Sequence, residues 1–394
     1  MVGKVRIAVV GGGPAGATCA RLMAAAGAST DLFEPRPESE KPCGGGIPGR
    51  ALAELSHLIP GTLARRVVRE VVIISPSNRR VRLHLPGGIH VFSRRELDAS
   101  LRQGAAEAGA MVRHTRVAAV KRVGASGWEV RTEAGVMGPY DLLVGADGVR
   151  GIVRRALAPE VGMPPRFPAE DLTLALYGYV GGVAHEEIIL KFFGGRNGYL
   201  WVFPRTDHVS IGICAGYRRV EPRRLEEDLL RFAAEQFPQG RLAASDLKGY
   251  FIPASSRPPA AGPEAGWALA GDAGGFVDPL TREGIAPAMR SAIELAEGLV
   301  ERSTLMTSSL PENLRRAHGC VDGFYRESFL DRMIRLAARS SAIRAVLGDL
   351  LEGKQPYRGL KSRLLLNALP CGVELALHAA TRLASAGAPV GPRS

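Results

Sequence analysis

The feature that most constrains how this chain can fold is a glycine-rich turn that follows its first apolar segment. Residues 5–10 are almost entirely apolar, which is typical of a parallel strand that is buried on both faces. Segment 11–16 then reads GGGPAG, and the Ala-, Leu- and Met-rich segment 17–26 predicts a helix. A second short strand, 30–33, ends at Glu34. This order of strand, GxGxxG turn, helix, strand and acid predicts a βαβ unit that binds a dinucleotide.

The residues of this unit each have a physical task. Gly11 permits the tight turn, Gly13 lets the backbone approach a pyrophosphate, and Gly16 lets the helix pack closely on the strand. The pyrophosphate would meet the free N–H groups at the helix N-terminus. Glu34 would accept hydrogen bonds from ribose hydroxyls and repel a 2′-phosphate, so the site should disfavour NADP. Segment 44–49, GGGIPG, fits the same expression, but we predict neither a strand before it nor a helix after it, and we assign it no dinucleotide.

The composition is that of a globular protein with a surplus of arginine. Hydrophobic residues make up 46% and charged residues 23% of the 394 residues, and the net charge is +12. The surplus indicates either an anionic partner, such as a membrane surface, or a codon bias towards arginine. No recognition motif interleaves the basic residues with aromatic ones, so we expect no nucleic-acid partner.

The spacing of the cysteines and the lengths of the apolar segments indicate the cellular location to expect. The five cysteines lack the spacing of metal ligands, so we expect reduced thiols and no metal. No apolar segment reaches the ~18 residues needed to span a bilayer. We therefore expect a cytoplasmic protein, at most peripheral at the cytoplasmic membrane.

Two more strand-to-turn segments lie farther along the chain. Residues 140–144 predict a strand that leads into 145–148, GADG, and residues 267–270 predict another that leads into 271–275, GDAGG. A helix is predicted after the second of them, over 286–300. Taken alone, each segment could be a capped turn between a strand and a helix.

Between these two segments, residues 171–216 predict a meander of antiparallel strands whose turns carry Gly, Asn and Asp. The predicted strands are 172–180, 187–193, 199–203 and 209–215. Tyr199, Trp201 and Phe203 alternate along the third strand, so a period of two places them on one face. Such a row forms either plain sheet core or the wall of a pocket.

Taken together and in this order, the three glycine segments resemble the FAD fingerprint of the p-hydroxybenzoate hydroxylase-like flavoproteins. The resemblance implies that Asp272 bonds a ribityl hydroxyl and that Asp147 and Gly148 support the pyrophosphate side. Segment 92–98, FSRRELD, is similar to that superfamily's RxxLD helix start, which makes Arg94 a candidate contact of the pyrophosphate or the adenosine.

The cofactor that the resemblance implies is FAD. The N-terminal amides of the helix at 286–300 would lie near the pyrimidine ring, where the helix dipole would favour negative charge on the reduced flavin. Gly151 stands where a serine is usual, so that part of the fingerprint departs from the pattern. The implied cofactor contacts are Gly11, Gly13, Pro14, Ala15, Gly16, Glu34, Pro35, Arg36, Cys43, Gly44, Gly45, Arg94, Val117, Ala146, Asp147, Gly148, Gly271, Asp272, Pro279, Gly284 and Ile285.

Two further segments narrow the resemblance to the geranylgeranyl reductase family. Segment 198–205, GYLWVFPR, resembles that family's YxWxFPK signature, with Arg205 in place of lysine. Segment 41–48, KPCGGGIP, resembles the family's PCGG loop beside the flavin. The resemblance runs from residue 4 to about residue 305 and fades beyond it.

This family resemblance implies an FAD-dependent oxidoreductase that reduces C=C bonds of an isoprenoid, or of a related lipid or polyene, by hydride transfer from N5 of the reduced flavin. Cys43, Tyr199 and Trp201 become the candidate catalytic residues, with Cys43 delivering a proton or shielding the flavin. Tyr199, Trp201 and Phe203 become the candidate substrate contacts, lining an apolar tunnel. Because no second βαβ fingerprint for a nicotinamide nucleotide is found, the electron donor would be external, either NAD(P)H or a ferredoxin-like protein.

Two other functions share the same fingerprints. An aromatic monooxygenase or a halogenase is one, although residues 66–95 hold arginine pairs and lack the lysine that a halogenase would need in this part of the chain. A non-catalytic flavin electron carrier with a basic docking face is the other.

The predicted fold class is α/β. A Rossmann-like FAD-binding domain is interleaved with an antiparallel β-sheet substrate domain, and a C-terminal helical segment follows. The predicted boundaries are 1–165 for the first part of the FAD-binding domain, with a small inserted β region near 66–92, then 166–261 for the substrate sheet, 262–305 for the second FAD-binding part and 306–394 for the helical region.

The C-terminal region carries half of the surplus positive charge. Residues 335–394 hold nine Lys/Arg and three Asp/Glu. Leu360, Leu364, Leu365 and Leu369 lie at helical spacing beside basic residues, which is an amphipathic pattern. Such a helix could rest on an anionic bilayer, or it could close the domain with a basic outer face.

Overall fold

The computed structural model describes residues 5–124, 127–253, 265–300, 310–367, 370–372 and 374. The strands are β1 (Arg6–Val10), β2 (Ser29–Phe33), β3 (Gly46–Pro48), β4 (Arg66–Ile74), β5 (Arg80–Val91), β6 (Met111–Arg113), β7 (Val117–Val123), β8 (Gly127–Thr132), β9 (Gly135–Tyr140), β10 (Leu142–Gly145), β11 (Leu172–Gly181), β12 (Ile188–Phe193), β13 (Gly198–Pro204), β14 (His208–Gly216), β15 (Lys248–Pro253) and β16 (Trp267–Leu269). The α-helices are α1 (Pro14–Ala25), α2 (Gly49–Glu54), α3 (Arg94–Glu107), α4 (Ile152–Leu157), α5 (Pro222–Gln236), α6 (Ile285–Val300), α7 (Leu310–Phe324), α8 (Glu327–Ala337), α9 (Ser341–Leu351) and α10 (Leu360–Leu366).

A five-stranded parallel sheet, in the order β16-β10-β1-β2-β6, forms the nucleotide-binding layer. Strands β1, β10 and β16 are almost entirely apolar, as is typical of strands buried on both faces, and helices α1, α3 and α6 cover one face of the sheet. The small sheet β7-β8-β9 packs on the other face. The carboxyl ends of β1, β10 and β16 therefore meet at one edge, and each of the three glycine segments begins there.

The second sheet has eight strands, in the order β15-β11-β14-β13-β12-β4-β5-β3. Alternate side chains face opposite layers: Leu200 and Val202 pack under α5, whereas Trp201 packs towards the C-terminal helices. Helices α8 and α9 add Leu330, Ile334, Ile343 and Val346 to the buried residues, and the first three join Trp201 in one apolar cluster. One face of the sheet thus borders the functional region and the other is closed by α5.

The predicted α/β fold class is confirmed, with differences in detail. The four predicted strands of the meander match β11 to β14 within one residue at each end. The region near 66–92 is not a small separate insert, because β4 and β5 form a hairpin that continues the eight-stranded sheet. The hairpin joins at the free edge of β12 through a parallel pairing, so the sheet is mixed rather than antiparallel. The boundaries placed at 261/262 and 305/306 lie outside the described residues.

Three local expectations also change. The predicted strand 140–144 is two strands, because β9 ends at Tyr140 and β10 begins at Leu142. The second GxGxxG match leads into β3 and then α2, so the expectation that no helix follows it was wrong. On α10, Leu364 packs against the core but Leu365 is 75% exposed, so the leucines do not share one face; Leu369 lies outside the described residues. In the part of the chain that the structure describes, no helix is both long and apolar enough to cross a membrane.

Candidate active site

The β1–α1 turn has the geometry of a pyrophosphate cradle. Gly11 has φ +102°, and a Cβ there would lie 2.4 Å from the Ala146 carbonyl oxygen. A Cβ at Gly16 would lie 1.8 Å from the Gly11 carbonyl oxygen, so α1 can approach the strand only with glycine. The Cβ position of Gly13 faces open space. Because Gly13 precedes α1, which begins at Pro14 and has neither a side-chain cap nor an acid in its first turn, the N–H groups of that turn are left for an anion.

Glu34 stands where the ribose of a dinucleotide is expected. Its carboxylate accepts hydrogen bonds from the N–H groups of Gly12 (2.9 Å) and Arg36 (2.8 Å). These bonds orient the side chain and leave lone pairs on both oxygens for further donors. Pro35 lies between Glu34 and Arg36 in the chain, and Val117 packs in one buried cluster with Phe33, the residue before Glu34.

A buried arginine that the sequence did not reveal braces this turn. Arg102, on α3, donates to the carbonyl oxygens of Gly12 (3.1 Å) and Pro37 (2.6 Å). It ties the glycine turn to the segment that follows Glu34. No motif marks Arg102, because its partners are backbone carbonyls 65 and 90 residues away in the chain.

The second glycine segment presents an unpartnered oxygen. The Asp147 Oδ2 accepts the N–H groups of Ile152 (2.7 Å) and Val153 (3.1 Å), which caps α4. Its Oδ1 is buried and has no partner among the described residues. Burial raises the pKa of Asp147 to about 6, against the lowering effect of the Val153 N–H group. A Cβ at Gly151 would lie 2.0 Å from this Oδ1, which explains why serine is absent there.

The third glycine segment packs directly on the first. A Cβ at Gly271, which has φ +59°, would lie 2.8 Å from the Ala15 Cβ. Asp272 forms an ion pair with Lys41 (2.9 Å). The Cβ position of Gly284 is 3.7 Å from the Asp272 Oδ1, so the acid faces the N-terminus of α6, which begins at Ile285.

The loop that carries Cys43 is held by the predicted signature strand. The Arg205 guanidinium donates to the carbonyl oxygens of Phe92 and Cys43 (3.4 Å to the latter), and it lies 3.6 Å from Glu40. The Cys43 Sγ accepts the Gly45 N–H group at 3.2 Å. The two segments that resemble one family are therefore in direct contact, although 162 residues separate Cys43 from Arg205.

Glu40 is a second residue that the sequence did not reveal. Its carboxylate accepts the N–H groups of Arg94 (2.8 Å) and Arg95 (2.7 Å) and the hydroxyl of Ser93 (2.9 Å). Burial would raise the pKa of Glu40, but these hydrogen bonds outweigh it and hold the pKa below its usual range. Glu40 thereby fastens the Cys43 loop to the N-terminus of α3.

Arg94 is buried and paired within its own helix. It reaches both carboxylate oxygens of Asp98, at 3.1 and 2.9 Å. It also lies beside Lys41 and Cys43, and it lines the cavity described next. The structure therefore places Arg94 beside the Cys43 loop.

A cavity of about 380 Å³ extends from these turns to the C-terminal helices. Pro14, Cys43, Gly44, Gly45, Asp272, Gly284 and Ile285 border one end of it. Leu190, Phe192, Trp201 and Ile252 form an apolar wall. Leu310, Leu314, Leu350 and Tyr357 border the far end. The cavity is thus lined by the predicted cofactor turns and the predicted substrate sheet together.

The three alternating aromatic residues all line this cavity, but their surroundings differ. Tyr199 donates its hydroxyl to the Thr281 carbonyl oxygen. Trp201 lies flat over Gly212, where a Cβ would be 2.2 Å from the indole ring. Phe203 lies under the glycine loop, with its ring 3.0 Å from the Cβ position of Gly44. Alternation along the strand places the three side chains on one face, and each of them makes different tertiary contacts.

The loop between the third glycine segment and α6 is tied down from several sides. Asp278 accepts the Tyr357 hydroxyl at 2.8 Å. Arg282 has φ +60° and donates to the carbonyl oxygens of Pro279 and Asn197. Pro279 thus shapes the loop, and its side chain is not among the cavity-lining groups.

Comparison with known proteins agrees with this architecture. Residues 4–164 match the FAD binding domain family. Geranylgeranyl diphosphate reductase, chloroplastic, of Oryza sativa subsp. japonica is 30% identical over 385 residues, which cover 88% of this chain and 78% of that protein. Digeranylgeranylglycerophospholipid reductase of Methanoculleus marisnigri is 32% identical over 302 residues, which cover 72% and 73% of the two chains.

Solved structures share the fold. A geranylgeranyl bacteriochlorophyll reductase-like protein from Thermoplasma acidophilum is similar with a TM-score of 0.72 and 23% identity, over 92% of this chain and 99% of that one. The flavin-dependent brominase Bmp2 is similar with a TM-score of 0.67 and 17% identity, over 92% and 98%. Together with the cradle at Gly13 and the free Oδ1 of Asp147, these matches confirm FAD as the cofactor. In the described ranges, no group of His, Cys, Asp and Glu side chains could hold a metal ion.

Proposed function

Because the chain belongs to the geranylgeranyl reductase family of FAD-dependent oxidoreductases, we propose that it hydrogenates C=C bonds of an isoprenoid chain or of a related lipid or polyene. The observation that carries the proposal is the cavity that joins the cofactor turns to an apolar wall of the eight-stranded sheet. Both named relatives are reductases whose names contain a geranylgeranyl group. An apolar cavity of this kind suits a hydrocarbon chain.

The residues of the three glycine segments would hold FAD in an extended conformation. The N–H groups that follow Gly13 would bind the pyrophosphate, and Glu34 would accept from the ribose. The unpartnered Oδ1 of Asp147 and the carboxylate of Asp272 would accept cofactor hydroxyls. The amides at Gly284 and the start of α6 would face the pyrimidine ring. When bound and reduced, FAD supplies a hydride from N5.

The apolar wall of the cavity would position the substrate and exclude water. An isolated double bond is weakly electrophilic, so the chain must hold the alkene close to the cofactor and keep water away. Leu190, Phe192 and Trp201 provide an apolar surface for this, and the Tyr199 hydroxyl holds the loop at Thr281. We assign Tyr199 and Trp201 to positioning the reacting double bond, and Phe203 to supporting the Gly44 loop at the edge of the substrate path.

Cys43 is assigned to shielding the cofactor from solvent. Its sulfur accepts the Gly45 N–H group and lies beside Arg94, while its carbonyl oxygen accepts from Arg205. The side chain is therefore held at the cofactor end of the cavity. This arrangement favours a fixed shield over a mobile proton donor.

The electron donor and a membrane surface complete the proposal. The donor is NAD(P)H or a ferredoxin-like protein, because the parallel sheet provides one dinucleotide fingerprint. Leu365 and Leu366 on α10 are 75% and 77% exposed beside the exposed Lys361, and the cavity end at Tyr357 is close to them in sequence. This combination suits peripheral contact with an anionic bilayer, which co-sedimentation with anionic vesicles would test.

The proposed reaction is tested by anaerobic turnover. Dithionite-reduced, FAD-bound enzyme is incubated with geranylgeranyl diphosphate and, separately, with a geranylgeranyl lipid. The masses of the products are then measured by mass spectrometry. Gains of one H₂ per double bond are expected. No mass gain with either substrate, together with oxygen uptake that a phenol or indole stimulates, would instead support the aromatic monooxygenase or halogenase alternative.

A further inference from the structure

The cavity contains an acid that neither the sequence motifs nor the cofactor contacts use. Glu283 lies in the loop between Asp278 and α6, directly before Gly284. Its side chain lines the cavity together with Asp272, Tyr199 and Trp201. The Glu283 Oε1 is buried and has no hydrogen-bond partner among the described residues. A buried carboxyl oxygen without a hydrogen-bond partner destabilises the folded protein, so its position beside a cavity points to a functional role.

The titratable groups around Glu283 come from four segments of the chain. Asp278 shares its loop, Arg290 lies on α6, Glu54 lies on α2, and Tyr357 comes from the segment before α10. Burial raises the pKa of Glu283 to about 7, Arg290 opposes this, and Asp278 and Glu54 add to it. A carboxyl whose pKa is raised towards neutrality can hold a proton at neutral pH, as a general acid must.

The other acidic groups of the cavity are already committed. Asp278 accepts the N–H groups of Leu280 (2.8 Å) and Thr281 (2.9 Å) as well as the Tyr357 hydroxyl. Asp272 is paired with Lys41. The Tyr199 hydroxyl is already donated to a carbonyl oxygen. Among the described acids that line the cavity, Glu283 is the one that has a buried side-chain oxygen without a hydrogen-bond partner.

We propose that Glu283 is the proton donor of the reduction. The inference rests on the proposed function. As the alkene π bond breaks, one carbon receives the hydride that reduced FAD supplies and the other receives the carboxyl proton of Glu283. The C=C bond is reduced, the flavin is oxidised by two electrons, and Glu283 is left as a carboxylate.

The surroundings of Glu283 extend to the protein surface through an ion pair. Arg290 lines the same cavity and forms an ion pair with Glu54 at 2.5 Å. The Glu54 side chain is exposed on the outer side of that pair. The Glu283 carboxylate would regain its proton from solvent at this α2–α6 contact, and not through Arg290, because a guanidinium does not give up its proton.

The test uses the full-length, FAD-bound protein and three variants. Glu283→Gln keeps the shape and removes the acid, and Glu283→Asp keeps the acid on a shorter stem. Glu297→Gln is the matched control, because Glu297 is exposed on α6, the helix that follows Glu283, and does not line the cavity. The rate at which geranylgeranyl diphosphate oxidises the reduced flavin is measured in single turnovers between about pH 5 and pH 9.

The wild type and E297Q should slow as the pH rises through about 7. E283Q should be slower by roughly 100-fold or more and lose that inflection, and E283D should keep the inflection at a reduced rate. E283Q that retains the wild-type rate within about threefold, together with the wild-type pH profile, would overturn the assignment. Failure of the wild type and E297Q to turn over would instead overturn the proposed function, and the proton-donor role with it.

A second measurement does not depend on turnover. Infrared spectra of the FAD-bound protein, recorded as a function of pH, should show protonated-carboxyl absorption that titrates near neutral pH in the wild type and E297Q. In E283Q this absorption should be smaller by the contribution of one carboxyl, and Asp147, whose pKa is about 6, should supply the remainder. A band of the same size in E283Q would show that another carboxyl holds this proton, and the assignment would fall.

Discussion

At the scale of single residues, the site depends on glycines where no side chain fits and on a buried carboxylate oxygen without a hydrogen-bond partner among the described residues. Gly151 replaces the usual serine, and the structure supplies the reason: a Cβ there would lie 2.0 Å from the Asp147 Oδ1. The Asp147 carboxylate instead lies directly over the Gly151 backbone and caps α4 with its other oxygen. Glycine at this position therefore leaves room for the buried Asp147 carboxylate, whose Oδ1 has no partner among the described residues.

Restoring the usual serine should therefore weaken the site. Gly151→Ser must displace Asp147, and we expect a loss of roughly 1–3 kcal/mol in the free energy of unfolding with weaker FAD binding. Thermal unfolding and fluorescence titration with FAD measure the two effects. Gly319→Ala is the control, because a Cβ at Gly319, on α7, meets nothing within 4 Å. Unchanged FAD affinity in the serine variant would show that Asp147 has more room than the structure gives it.

Glu283 gives a pH dependence of stability with a definite sign. Its pKa is about 7 in the folded protein and near 4.5 when unfolded, so the unfolded chain releases this proton first as the pH rises. The folded state therefore loses stability between these two values. The melting temperature of E283Q, relative to the wild type, should be higher at about pH 8 than at about pH 4.5 in FAD-free protein. An equal difference at both pH values would contradict the raised pKa.

At the scale of elements, the sequence predicted what depends on short spacing. The β1–α1–β2 unit, the four strands of the meander and the shared face of Tyr199 and Trp201 follow from periodicity within a few residues. The joining of β4 and β5 to the edge of β12, and the role of Glu40, were not predicted. These depend on contacts between segments more than 50 residues apart, which leave no local pattern.

Arg205 is such a long-range contact, and it links two elements. It holds the Cys43 loop through the carbonyl oxygens of Phe92 and Cys43 while Glu40 balances its charge. Arg205→Ala should release the loop and weaken FAD binding by roughly 10- to 100-fold, whereas Arg205→Lys, which restores the family's usual residue, should cost less than tenfold. Isothermal titration with FAD measures both. Equal affinities for the two variants would show that the loop does not depend on this charge.

At the scale of the whole molecule, the chain passes between its two large sheets several times to build one site. The parallel sheet brings the three glycine segments to one edge, and the eight-stranded sheet sets its apolar face, with Trp201, against that edge. Helices α7 and α9 border the far side of the cavity. Each sheet thus supplies one half of the proposed reaction, the cofactor from one side and the hydrocarbon wall from the other.

A crystal structure of the FAD-bound protein tests this arrangement most directly. The account predicts one extended FAD with its pyrophosphate at the N-terminus of α1, its hydroxyls on Asp147 and Asp272, and N5 facing the cavity between Cys43 and Trp201. A flavin ring turned away from that cavity, or FAD bound without contact to the second and third glycine segments, would contradict it.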